Sequence, residues 1–148
     1  MNFHLVDRID LIEPRRRVLA CKLTSFAEQY WRDDGRGVEM PPALVLEALC
    51  QAGNWLVLAS TGLSRSAALL SVDRTRFGAP VRPGDVLVLD GVVESFGADT
   101  AAISGTVRVD GQEVLAADTI LCALIPSEEL DDPAALGCRL EALTGGAR

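Results

Sequence analysis

A single long apolar helix constrains the fold of this chain more than any other sequence feature. Residues 43–58 are mostly apolar, and the preceding Pro41 and Pro42 suit a first helical turn, where backbone N–H groups lack intrahelical partners anyway. Thr61 and Gly62 mark its end, because glycine is favoured just past a helix C-terminus. No second strong helical pattern exists to cover this helix, so we predict that a sheet curls around it.

The remainder of the chain is typical of antiparallel strands. Runs rich in β-branched residues are separated by clusters of Gly, Pro and Asp. Asp110-Gly111 is the strongest hairpin signal, because both central positions of a type I′ turn need positive φ. The predicted strands cover residues 9–13, 17–24, 67–77, 86–96, 100–109 and 113–125.

The length of 148 residues fits one domain of the α+β class. We predict that the domain covers residues 1–126 and that residues 127–148 form a tail. Within that tail, residues 134–143 are predicted to be either a short helix or disordered.

Composition narrows the range of partners. The formal charge of −7 argues against nonspecific binding to nucleic acid or to an anionic membrane, both of which need excess Lys and Arg. The N-terminus lacks the pattern of a secretory signal, so we expect a cytoplasmic protein. The cysteines are widely spaced and, with a single histidine, predict no metal site; they are residues 21, 50, 122 and 138.

A polar stripe interrupts the apolar helix. Glu47, Gln51 and Asn54 are spaced four and three residues apart and so share one helical face, which argues against a lipid-facing span. A buried carboxyl group has a raised pKa and is a candidate acid or base. The alternative is that Glu47 lies on a solvated stripe or pairs with an arginine.

Four ordered motifs give the chain a family resemblance. It resembles the single-domain hotdog-fold 3-hydroxyacyl-acyl carrier protein dehydratases over residues 3–125 or so. The motifs are Leu5-Val6-Asp7-Arg8; Met40-Pro41 with Leu46-Glu47-Ala48-Leu49-Cys50-Gln51; Arg76-Phe77 with Pro80-Val81-Arg82-Pro83-Gly84-Asp85; and Val109-Asp110-Gly111 with Val114 and Ala116.

The resemblance implies a hotdog fold, in which a curled antiparallel sheet encloses one helix. It further implies a dimer with acyl tunnels at the subunit interface, and a substrate carried on the phosphopantetheine of an acyl carrier protein, without another cofactor. Glu47 matches the family's helix carboxylate, which handles the leaving hydroxyl. Ala43 at the helix start, Gln51 and Trp31 are the substrate-binding candidates.

Two positions depart from the family pattern. The family's catalytic His lies seven residues before the Met of the helix motif, and here that position is Asp33, followed by Asp34. The glycine after Met-Pro is Pro42, which has no N–H to offer a thioester oxygen. We therefore take Asp33 and Asp34 as candidate catalytic partners of Glu47, although Asp is a weaker base than His at neutral pH.

Several functions stay open at this point. The chain is either an unusual dehydratase or a catalytically reduced subunit that pairs with an active homologue in a heterodimer. A third reading is a thioesterase or enoyl isomerase that uses Glu47 and Asp33. Three arginines lie where the family meets its carrier protein, and we predict that they bind it; they are Arg74, Arg76 and Arg82.

Overall fold

The structure is a computed structural model that describes residues 3–145. Two predictions fall partly beyond this range, namely the reading of the N-terminus, which includes residues 1–2, and the tail, which includes residues 146–148. The elements in chain order are β1 (Arg8–Glu13), β2 (Arg17–Leu23), β3 (Arg32–Asp33), β4 (Val38–Glu39), α1 (Pro42–Ser60), β5 (Arg65–Phe77), β6 (Val86–Phe96), β7 (Thr100–Val109), β8 (Gln112–Pro126) and α2 (Pro133–Leu143).

The large sheet has six antiparallel strands in the order β1-β2-β6-β7-β8-β5, and β3 with β4 forms a separate small hairpin. Helix α1 contacts all six strands of the large sheet. This confirms the predicted hotdog architecture. The predicted strands end within two residues of the observed ones, whereas the β3–β4 hairpin was not predicted, because strands of two residues leave no periodic pattern.

Helix α1 begins at Pro42 and buries one face against the sheet. Its length and composition would suffice to cross a membrane, but half of that segment is buried inside the protein. The helix is therefore the core helix of the domain. It ends as predicted, because Gly62 adopts a φ of 59° and the N–H of Leu63 bonds to the carbonyl of Leu58 at 2.8 Å.

The predicted turns follow from backbone chemistry. Asp110 and Gly111 have φ values of 50° and 77°, as a type I′ turn between β7 and β8 requires. Gly84 has a φ of 94°, and the N–H of Asp85 bonds to the carbonyl of Arg82 at 3.0 Å, which closes a tight turn before β6.

Helix α2 packs against the main core. The Asp132 side chain caps it by accepting a hydrogen bond from the N–H of Ala134 at 3.2 Å. Leu136 and Leu143 are buried in the same cluster as α1, and Leu140 packs beside them. Their spacing of four and three residues is that of an amphipathic helix. Placing the domain boundary at residue 126 stays a prediction.

Gly105 of β7 lets α1 come close to the sheet. Gly91 of β6 lies opposite Gly105 of β7. A Cβ added at Gly105 would lie 2.9 Å from both the Leu49 Cδ1 atom and the Asp90 carbonyl oxygen. Any side chain at position 105 would therefore push the helix away from the sheet.

We expect Gly105→Ala to lower the free energy of unfolding by about 1–3 kcal/mol, because it overpacks the contact between α1 and the sheet. Gly97→Ala is the control, since its Cβ would make only ordinary contact, at 3.5 Å from the Thr100 carbonyl. It should change stability by less than about 0.5 kcal/mol. Urea denaturation measures the free energy of unfolding of both variants. Equal stability of the two would contradict the conclusion that Gly105 is needed for α1 to pack closely on the sheet.

Candidate active site

Glu47 is exposed on the surface of the single chain. Its Oε1 atom accepts a hydrogen bond from the Gln51 Nε2 atom at 3.1 Å, and it forms no salt bridge with a described cation. Within one subunit, Glu47 is therefore part of a solvated polar stripe, which is one of the alternatives that the sequence left open. A carboxyl group with this exposure is accessible to a ligand or to a second subunit.

Gln51 holds the N-terminal segment against α1. Its Oε1 atom accepts a hydrogen bond from the Leu5 N–H at 2.8 Å, and its Nε2 atom donates to the Phe3 carbonyl at 2.9 Å and to Glu47. The amide is thereby fixed in orientation, because its oxygen and its nitrogen have different backbone partners. Gln51 orients the carboxylate of Glu47 and has no described donor left over for a substrate.

The start of α1 offers one free amide. Pro42, the first helical residue, has no N–H, and the N–H of Leu44 already bonds to the Pro41 carbonyl at 2.9 Å. Between them, the N–H of Ala43 has no acceptor among residues 3–145. This donor lies at the positive end of the helix dipole, where it would stabilise developing negative charge.

Asp33 and Asp34 hold the β3–β4 loop together. The Asp33 Oδ1 atom accepts hydrogen bonds from the N–H groups of Gly35 at 2.9 Å and Gly37 at 3.3 Å. Asp34 accepts one from the Arg36 N–H at 3.3 Å. Neither carboxylate is hydrogen-bonded to Glu47 in the part of the chain described. The predicted pair is therefore not assembled by contacts within one subunit.

Arg82 supports the same loop. Its guanidinium donates hydrogen bonds to the carbonyls of Val38 at 2.9 Å and Arg36 at 3.2 Å. The contact is so close that a Cβ at Gly37 would lie 2.7 Å from the Arg82 Nη1 atom. Two of the donors predicted to bind a carrier protein are thus used to shape the loop.

The other two candidate arginines lie on or beside the end of β5 and are exposed. Arg76 pairs with Asp118 of β8 at 2.9 Å, which offsets its charge. Arg74 is exposed, forms no salt bridge in the described structure and has a positive φ of 51°. Arg74 is the more available of the two for an acidic partner.

A cavity of about 290 Å³ lies between the start of α1, the β3–β4 hairpin and the end of β5. We call it the helix-start cavity. Glu47 does not line it. Its main lining residues are Met40, Pro42, Val45, Phe77, Val81 and Arg82.

Trp31 belongs to a structural cluster. Its Nε1 atom donates to the Ser25 carbonyl at 2.8 Å, and its ring lies 5.0 Å from that of Tyr30. Tyr30 donates a hydrogen bond to Glu28, whose other oxygen pairs with Lys22 at 2.5 Å. Burial, and then this hydrogen bond, raise the pKa of Tyr30. The cluster anchors the segment that leads to the loop.

The sequence analysis missed the role of Lys22, although β2 carried a signal. Val18, Ala20 and Lys22 alternate on one face of the strand, and Lys22 is only 4% exposed. A lysine that continues a buried alternation needs an acidic partner. Glu28 supplies the close contact, and Asp7 lies 3.7 Å away.

The thiols and possible metal ligands suggest no other chemistry. Burial, followed by the nearby charge of Glu47, raises the pKa of Cys50 to about 12, so this thiol is not activated as a nucleophile. Cys50 and Cys122 both line one small cavity of about 40 Å³. Within residues 3–145, no group of three His, Cys, Asp or Glu side chains is placed to hold a metal ion.

Residues 1–118 match the FabA-like domain family. The chain belongs to this family. It is similar to the 3-hydroxyacyl-[acyl-carrier-protein] dehydratase FabZ of Xylella fastidiosa (strain M23), with 35% identity over 133 residues, 84% of this chain and 81% of the relative. The predicted membership of the hotdog-fold dehydratase family is thereby confirmed.

Two solved structures show the same fold. The dehydratase heterocomplex ApeI:P from Xenorhabdus doucetiae superposes with a TM-score of 0.68 at 15% identity, covering 85% of this chain and 86% of that chain. A hypothetical thioesterase with coenzyme A from Streptococcus pneumoniae TIGR4 gives a TM-score of 0.58 at 18% identity, covering 80% and 85% of the two chains.

We expect Gln51→Ala to lower the free energy of unfolding by about 1–3 kcal/mol, because it leaves the buried Leu5 amide without its acceptor. Gln112→Ala, at the exposed first residue of β8, is the control and should be nearly neutral. Hydrogen exchange should also accelerate at Leu5 in Gln51→Ala alone. Unchanged protection of Leu5 would contradict the anchoring role of Gln51.

Proposed function

We propose that this FabA-like protein is a dehydratase subunit acting on 3-hydroxyacyl thioesters of an acyl carrier protein, with Glu47 as the acid. The observation that carries the proposal is the geometry of Glu47. This carboxyl group is exposed on the core helix, oriented by Gln51, and lies within the motif that matches the family. A cytoplasmic location, shared with the carrier protein, is part of the proposal.

The reaction balances with two groups and a thioester. A base removes the α proton, the electrons of that C–H bond form the α,β double bond, and the β C–O bond breaks. Protonated Glu47 gives its proton to the departing hydroxyl, which leaves as water. The N–H of Ala43 is the described donor available for the thioester oxygen while negative charge develops on it.

The position of the base favours a two-subunit site. Asp33 is the residue at the family's histidine position, but one oxygen of its carboxylate accepts two loop N–H groups, and it makes no described contact with Glu47. We therefore propose that a second subunit supplies the base to Glu47. A related hotdog subunit with its own histidine fits best, and Asp33 or Asp34 of a second copy is the alternative.

The edge of the large sheet at β5 supports such pairing. Within residues 3–145, this strand of 13 residues has no neighbour on its outer side. Leu69 and Leu70, in the middle of the strand, are 52% and 57% exposed, and an unpaired strand edge is a ready template for another chain. A second sheet joined at β5 would pair the free backbone groups of this edge.

We expect Glu47→Gln to abolish water loss from a 3-hydroxyacyl carrier protein, assayed for the chain alone and mixed with a histidine-containing homologue from the same source. Glu113→Gln, at the exposed start of β8, is the matched control and should keep full activity. Mass spectrometry of the acyl group separates dehydration from isomerisation and hydrolysis. Activity in the mixture that is insensitive to Glu47→Gln would exclude Glu47 as the acid, and hydrolysis alone would favour a thioesterase.

We expect Pro42→Ala to raise kcat of the active form, because it restores a backbone donor at the start of α1. One such donor contributes roughly 100-fold or more to the rate. Pro133→Ala makes the same change at the first residue of α2 and should leave kcat unchanged. If kcat of Pro42→Ala is not raised while the free energy of unfolding is unchanged, a backbone N–H at position 42 does not serve the thioester oxygen.

Charge reversal tests the carrier-binding surface. We expect Arg74→Glu and Arg76→Glu to weaken binding of the acyl carrier protein at low salt, since exposed charges act mainly through long-range attraction. Arg82→Glu should weaken binding as well, but with a loss of thermal stability because of its loop contacts. Arg16→Glu, in the β1–β2 turn, is the control. Unchanged affinity in all three variants would remove this surface from the proposal.

A further inference from the structure

A second cavity, of about 430 Å³, lies between the C-terminal half of α1 and helix α2. We call it the α1–α2 cavity. Helix α2 lies beyond residues 1–118, the part of the chain that matches the FabA-like family. The cavity is lined by His4, Gln51, Asn54, Trp55, Leu58, Asp131, Ala135, Leu136 and Arg139.

Arg139 is the unusual residue of this cavity. Its Nε atom is buried and has no hydrogen-bond acceptor among residues 3–145. The guanidinium forms no salt bridge with any described carboxylate, although Asp131 lines the same cavity. A half-buried arginine without an anion is costly, and planar carboxylates are the anions that its fork of donors matches best.

Two other polar groups favour one negative charge on a ligand. Asn54 accepts a hydrogen bond from the Ala67 N–H at 2.7 Å through Oδ1, and its Nδ2 amide has no acceptor in the described structure. Burial, and then the charge of Arg139, lower the pKa of His4 against the opposing effect of Asp131, which favours the neutral imidazole. Asp131 lines the same cavity without pairing with Arg139, and its negative charge repels a dianion such as phosphate more than a monocarboxylate.

The remaining walls are apolar. Trp55 is 8% exposed, Leu136 is likewise buried, and Leu58 lies one helical turn beyond Trp55. Ala135 lines the side of the cavity that α2 contributes. A ligand that matches these walls has a hydrocarbon body next to its charged group.

We propose that the α1–α2 cavity binds a small amphipathic monocarboxylate, with its carboxylate on the Arg139 guanidinium and its hydrocarbon chain along Trp55, Leu58 and Leu136. The site does not include Glu47 and is separate from the helix-start cavity, although Gln51, which contacts Glu47, lines one side of it. It does not depend on the proposed dehydratase activity, because its occupancy is measured by binding alone.

Octanoate and the fluorescence of Trp55 provide the test. The chain contains two tryptophans, so Trp31→Phe leaves Trp55 as the reporter. In this background we expect a saturable change in fluorescence with octanoate, and at least tenfold weaker binding in Arg139→Gln. Arg16→Gln, in the β1–β2 turn, does not line the cavity and should bind octanoate unchanged. Calorimetry with the unaltered full chain checks that Trp31→Phe has not created the response.

Two comparisons separate the charged from the apolar contribution. Octanol should bind at least tenfold more weakly than octanoate, and inorganic phosphate should not compete with octanoate. Ala135→Phe fills the cavity without removing a charge, and it should abolish binding even if Arg139→Gln disturbs the packing of α2. Circular dichroism checks that each variant is folded.

The proposal is overturned by the absence of saturable octanoate binding or by equal affinity of Arg139→Gln and the parent. Octanol binding as tight as that of octanoate would overturn the role of the carboxylate. Tighter binding of phosphate would overturn the choice of a monocarboxylate. Unchanged binding in Ala135→Phe would place the ligand elsewhere on the protein.

Discussion

Burial of α1 against the curled sheet is the interaction on which the rest of this structure depends. The helix contacts every strand of the large sheet, and fully burying one leucine contributes roughly 1.5–3 kcal/mol. Gly105 allows Leu49 to approach the sheet closely enough for this packing. Since the apolar face of α1 turns inward, its polar stripe must turn outward, and this places Glu47 on the surface of the subunit.

The polar stripe then organises what surrounds the helix. Gln51 fastens the N-terminal segment through Leu5 and Phe3 while it orients Glu47, so one amide links the stability of the fold to the geometry of the candidate acid. Asn54 continues the stripe and accepts a hydrogen bond from the N–H of Ala67, near the start of β5. The stripe thus holds the N-terminal segment and β5 to α1, and its residues Gln51 and Asn54 also line the α1–α2 cavity.

The loop before α1 is built for rigidity. Asp33 and Arg82 both form hydrogen bonds with its backbone, and the Lys22–Glu28 pair anchors the chain that enters it. The carboxylates of Asp33 and Asp34 accept hydrogen bonds from N–H groups of this loop. Among the three candidate catalytic carboxyl groups, Glu47 is therefore the one that no described backbone N–H engages. This is the physical basis for proposing that the second catalytic group comes from another subunit.

The sequence by itself determined the core helix, the main strands and the family, because apolar periodicity and turn chemistry are local properties. The same information identified Glu47, Gln51 and Asp33, but it could not assign their contacts. Only the tertiary structure decided that Gln51 binds the N-terminal segment, that Arg82 shapes a loop, and that Arg139 is half-buried with no carboxylate of residues 3–145 beside it. Each of these facts depends on residues far apart in the chain, and the burial that makes them matter arises only when the sheet closes around α1.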